Sequence, residues 1–101
     1  MRRWHKPISL TKLNASRVPD RPGVFVLLES QDRLNSVLKI IPARSLKRAF
    51  YDALEPNEDY RQAMPRAAMF FETFSDAPEA DRLLSEYRRR HGRNPVLNSP
   101  Y

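Results

Sequence analysis

Three sets of residues in this 101-residue chain have the types and spacing to meet an anion. The run Arg88-Arg89-Arg90-His91-Gly92-Arg93 spreads guanidinium groups around a helix end, and such groups grip phosphates in bidentate geometry. Arg44, Lys47 and Arg48 share one face of a second amphipathic stretch, and Lys39 stands in an otherwise apolar run just upstream. The arginine run also has an ordinary role, because cations in a last turn favour the helix dipole by about 0.3–1 kcal/mol each at low salt. Glu86 is the carboxylate to consider as a metal ligand. Arg82 and Arg90 lie four residues either side of it and Arg89 three residues on, at helix ion-pairing distances, and a lone carboxylate is a poor magnesium or manganese site.

Other chemistries are excluded by what the chain lacks. It has no cysteine, so disulfides, thiolate nucleophiles and cysteine-ligated zinc are ruled out, which suits a reducing, cytoplasmic setting. His5 and His91 share no ligand motif, and with only Gly23 and Gly92 there is neither a Gly-rich phosphate loop nor a nucleophile elbow. Trp4 and His5 have the chemistry to stack on bases, although a tryptophan so near the start is expected to fold back on the core. No apolar run approaches the roughly 18 residues a membrane span needs, so a soluble protein with no membrane partner is expected. Net charge is +6, from 18 Lys and Arg against 12 Asp and Glu. That field attracts polyanions, nucleic acid first among them; it also serves the solubility of a small basic domain.

The elements that must position these groups follow from hydrophobic period. With 41% hydrophobic residues the chain can build one core. Residues 1–17 read as an extended lead-in and 18–101 as the domain, with Asp20-Arg21-Pro22-Gly23 as the entering turn. Gly23 to Leu28 is almost wholly apolar, as in a strand covered on both faces. Val37 to Ile41 is the returning strand, with Val37, Lys39 and Ile41 on one face and Leu38 and Ile40 on the other; Pro42 ends it. Leu46, Ala49, Phe50, Ala53 and Leu54 then recur at helical spacing, and Glu55-Pro56-Asn57 supplies the stop. A short helical turn is expected before Pro65. Ala68 to Phe74 reads as a third strand whose Met69, Phe70, Phe71 and Phe74 serve packing. A last helix over 76–91 opens with a capping-box-like Asp76 and Glu79, presents Ala80, Leu83, Leu84, Tyr87 and His91 to the core, and ends at Gly92. Glu86 falls about 120° from that stripe. The order predicts a small α+β domain, a three-stranded antiparallel-type sheet packed by helices.

Pro22-Gly23-Val24-Phe25, Lys39-Ile40-Ile41, Leu46, Glu86, Pro95 and Asn98, in that order, resemble the motifs of a GIY-YIG nuclease domain over roughly residues 18–98. The resemblance implies a site at Phe25, Lys39, Ala49, Glu86 and Asn98. In the family a tyrosine helps activate water, an arginine stabilises the phosphate, and a glutamate binds one magnesium or manganese. Here phenylalanine replaces the first tyrosine, Lys39 replaces the second, Ile41 stands for the glycine, and Ala49 stands for the arginine. Arg48 is adjacent but about 100° away around the helix. Lys39 has the chemistry to offset phosphate charge or to act as a base.

The expected function is therefore a catalytically degenerate GIY-YIG-like module that binds nucleic acid weakly and non-specifically. Arg44, Lys47 and Arg48 on one helix and Arg89, Arg90 and Arg93 on the other would form its surface. Two alternatives stand beside it: a protein-interaction module that kept only the fold, and a metal-dependent endonuclease with substituted residues.

Overall fold

The computed structural model describes residues 4–56 and 58–98. The first three residues of the expected lead-in, Asn57 of the expected stop and residues 99–101 of the expected domain lie outside the described residues. Four strands, Ile8–Ser9 (β1), Gly23–Leu28 (β2), Val37–Ala43 (β3) and Ala67–Glu72 (β4), form one antiparallel sheet in the order β1-β4-β2-β3. Two α-helices, Leu46–Leu54 (α1) and Asp76–His91 (α2), accompany it.

Six consecutive apolar or small residues make β2 the centre, and every one is buried. Phe25 and Leu27 meet α1 through Leu46, Phe50 and Ala53, with Phe70 of β4 in the same cluster. Val24, Val26 and Leu28 form the second core with Ile40, Phe71 and Ala80 of α2. The two helices thus cover opposite faces of the sheet. Full burial of a ring such as Phe25, Phe50, Phe70 or Phe71 stabilises by ~1.5–3 kcal/mol each. Gly23 is where the layers come closest, since a Cβ there would meet the Phe71 carbonyl oxygen at 2.2 Å and Leu46 Cδ1 at 2.9 Å.

Several expectations need correction. The sheet has four strands, not three, because Ile8 and Ser9 pair with Ala68 and Ala67. The lead-in is not simply extended: Lys12–Arg17 forms a 3₁₀ helix that buries Ala15 and packs, with Val18, against the α1 core. In β3 a bulge interrupts the ladder, where Leu27 faces Lys39 but Leu28 faces Val37. An extra residue in a ladder reverses the facing of everything beyond it. Val37 therefore joins Ile40 on the α2 face, while Leu38 packs in the α1 core.

Pro42 does not end β3, which runs on to Ala43. Ile40 turns its backbone groups to the open edge, so Pro42, two residues on, does the same and its missing N–H breaks no ladder bond. The β4 strand ends at Glu72, leaving Phe74 beyond it and 85% exposed rather than packed. Ser75 is the N-cap of α2 and makes no side-chain cap bond, so the expected Asp76–Glu79 capping box is absent. The short turn before Pro65 is a 3₁₀ helix at Glu58–Arg61. Gly92 closes α2 as expected, with φ 75° and its N–H bonded to the Arg88 carbonyl at 2.7 Å.

Candidate functional site

The register of β3 against β2 sets Lys39 opposite Leu27 on the α1 face. Arg44 follows at the strand's end, and its Nη1 lies 3.2 Å from Asp76 Oδ1 at the start of α2. That carboxylate is 8% exposed and the guanidinium 85%, so a buried acid anchors an arginine whose other donors face solvent. Ser45, the N-cap of α1, accepts a hydrogen bond from the Arg48 N–H at 3.2 Å and donates to Asp20. Arg48 pairs with Asp52 one turn on, at 3.6 Å. Tyr60 reaches back from the second 3₁₀ helix to donate its hydroxyl to the Ala53 carbonyl at 2.8 Å.

These side chains border a cleft of about 450 Å³. Phe25, Leu27, Ile41 and Ala49 form its apolar part, and Lys39, Arg44, Ser45, Arg48, Asp52 and Tyr60 its polar part. Lys39 makes no ion pair among the described residues. Arg44 and Arg48 each have a carboxylate partner, Asp76 and Asp52, and Lys39 has none among the described residues, so one uncompensated cation in a concavity with apolar walls gives the cleft its draw on anions. Lys47 is half-buried and outside the lining, with its backbone N–H given to the Pro19 carbonyl at 3.1 Å.

Phe25, Lys39 and Ala49, three positions that the resemblance implicates, come together in this cleft. Glu86 does not join them. It lines a groove of about 370 Å³ on the α2 face, with Val26, Val37 and Ile40 of the sheet and Tyr87, Arg90 and His91 of its own helix. Its carboxylate is held by Arg82 Nη1 at 3.2 Å, and the same arginine holds Glu79 at 2.7 Å. Magnesium or manganese chemistry of the implied kind needs glutamate, phosphate and nucleophile at one place. A glutamate across the sheet and engaged by an arginine does not fit that group. Asn98 is structural: the Ile40 N–H donates to its Oδ1 and its Nδ2 donates to the Ile40 carbonyl, both at 2.7 Å.

The two cationic sets do not share a surface. Arg44 is tied to the first residue of α2, whereas Arg89, Arg90 and Arg93 are exposed at or beyond its last turn, about 20 Å along the axis at 1.5 Å per residue. Trp4 folds back as expected, edge-on to Phe71 with centroids 4.6 Å apart. His5 stacks on Phe70 at 4.5 Å and lies 3.6 Å from Glu72. Among the α2 stripe Ala80 is buried, Leu83, Leu84 and Tyr87 are half-buried, and His91 is exposed, its ring tilted at 36° against Tyr87 with centroids 4.2 Å apart. Sequence reasoning missed Ser45, Asp76 as an anchor, and Tyr60. Only a serine directly before the apolar stripe of α1 signalled the first; the others depend on contacts distant in the chain. Compared with protein families, with curated proteins and with solved structures, the chain gives no match.

Proposed function

We propose that this protein is a GIY-YIG-like module that has lost nuclease chemistry and binds nucleic acid through its phosphates, with the α1-face cleft as the principal contact. The observation that carries the reading is the convergence of Lys39, Arg44 and Arg48 on one concave site. The resemblance adds to it: Lys39 and Ala49 occupy positions of the family's tyrosine and arginine, so a cation stands where a nucleophile activator is expected. Phe25 has no hydroxyl to activate water and its ring is buried against Phe50, with centroids 6.4 Å apart. Such a site holds a phosphate but lacks the tyrosine hydroxyl and the converging glutamate-bound metal by which the family activates water for its cleavage. Contacts to phosphate carry no sequence information, so binding is weak, with Kd about 10⁻⁴–10⁻⁶ M at physiological salt, and non-specific.

A salt titration of duplex DNA binding tests this. Lys39→Glu with Arg48→Glu is expected to make the log–log slope shallower by about 0.9 for each phosphate that the protein no longer neutralises. With magnesium or manganese, the wild type is expected to cut no DNA above a Glu86→Ala control. Metal-dependent cleavage abolished by Glu86→Ala would overturn the loss of chemistry. Absence of binding at low salt would overturn the nucleic-acid reading and leave a protein-interaction module.

A further inference from the structure

The groove on the α2 face is an incomplete closure of the second core. Trp4, Val37, Met69 and Tyr87 lie against that core yet are only partly buried, because α2 and the β2–β3 connection leave a gap between them. Three rings border the gap among its aliphatic residues: Trp4, and Tyr87 with His91 tilted against it. Asn35, on the rim, carries an amide able to both donate and accept. Arg90 is in the lining, and Arg89 and Arg93 stand exposed at the same helix end. None of these three arginines makes an ion pair among the described residues.

Glu86 also lines the groove, and Arg82 offsets its carboxylate at 3.2 Å, so the net character is an apolar, aromatic slot beside three further arginines, whose complement is a flat apolar ring joined to a negative charge. Single-stranded nucleic acid repeats that unit, with bases free to stack and phosphates to meet guanidinium groups. In a duplex the bases are stacked on one another and closed to the slot. We infer that the α2-face groove takes unpaired bases, so that the protein prefers single-stranded nucleic acid. This rests on the nucleic-acid reading above and adds to it a second, base-accepting face, separate from the phosphate-binding cleft.

Trp4 is the chain's one tryptophan and lines the groove, so its fluorescence reports occupancy directly. The protein is titrated with an oligothymidylate, with an abasic strand of the same length and charge, and with a duplex of that length. Saturable quenching by the thymine strand is expected, with binding at least about tenfold tighter than for the abasic strand, as stacking of one or two bases supplies. Tyr87→Leu, which keeps an apolar cover, should weaken thymine-strand binding and leave abasic binding unchanged. Equal affinity for all three probes with no change in Trp4 emission would overturn the groove while sparing the phosphate cleft. No binding of any probe would overturn both. An acidic peptide with apolar side chains that quenches Trp4 where the thymine strand does not would assign the groove to a protein segment and overturn the inference.

Discussion

Asn98 closes the open edge of the sheet with one side chain, presenting to Ile40 the acceptor and donor that a further strand would have offered. The Leu97 N–H adds a bond to the Leu38 carbonyl at 2.9 Å, so the backbone groups nearest the bulge are satisfied. Asn98→Ala is expected to lower stability by about 1–3 kcal/mol, the cost of leaving part-buried partners unmet, read as a lower urea midpoint at unchanged slope. The two glycines act for different physical reasons. Gly23→Ala places a methyl against backbone at 2.2 Å, which only a shift of β2 or β4 relieves, and should cost about 1–3 kcal/mol. Gly92→Ala meets nothing within 4 Å but holds a left-handed φ of 75°, so about 1–2 kcal/mol of backbone strain is expected from it alone. Denaturation of both variants separates the two causes, because Gly92→Asn should recover most of the loss and Gly23→Asn none. Both glycines stood out in the sequence, one in a turn and one after a cationic helix end; the crowding at Gly23 involves Phe71, 48 positions away, and no local pattern records it.

Elements with a strong period were readable and those without were not. Gly23–Leu28 and Asp76–His91 were placed at the residues they occupy, since a continuous apolar run and a helical stripe with a glycine stop each constrain both ends. A two-residue strand such as Ile8–Ser9 has no period to detect, and it exists only because β4 offers it an edge. The bulge at Leu38 was equally hidden, because alternation is counted from one end and an extra residue changes the count without changing composition. In α1 the stripe was legible and its depth was not: Leu46, Phe50 and Ala53 are buried, whereas Ala49 and Leu54 are half-buried. That difference sets the expected outcome across the helix. Phe50→Ala should cost about 3–5 kcal/mol, while Tyr51→Ala, one position on and 48% exposed, should stay within about 0.5 kcal/mol. Comparable losses at both positions would mean that α1 does not pack by that face.

At the scale of the whole molecule, the cations were legible by type and their grouping was not, because the faces on which α1 and α2 dock follow from the sheet rather than from either helix. The chain is 35 × 33 × 23 Å in extent, with the sheet as the middle layer and a cationic set toward each side. A rigid duplex lying on one face of such a body cannot reach the other, whereas a flexible single strand passes around the β3 edge. The two sets should therefore act differently on the two ligands. For duplex DNA, charge reversal of Lys39 and Arg48 should flatten the salt dependence, whereas reversal of Arg89 and Arg90, on the face the duplex does not reach, should change it little. For a single strand long enough to span both faces, the wild type should bind more tightly than the sum of the separated contributions predicts, since the second contact becomes intramolecular. Shortening the oligonucleotide stepwise should remove that excess abruptly at the length that no longer spans the edge, and a smooth decline with length would show instead that the two faces never engage one strand together.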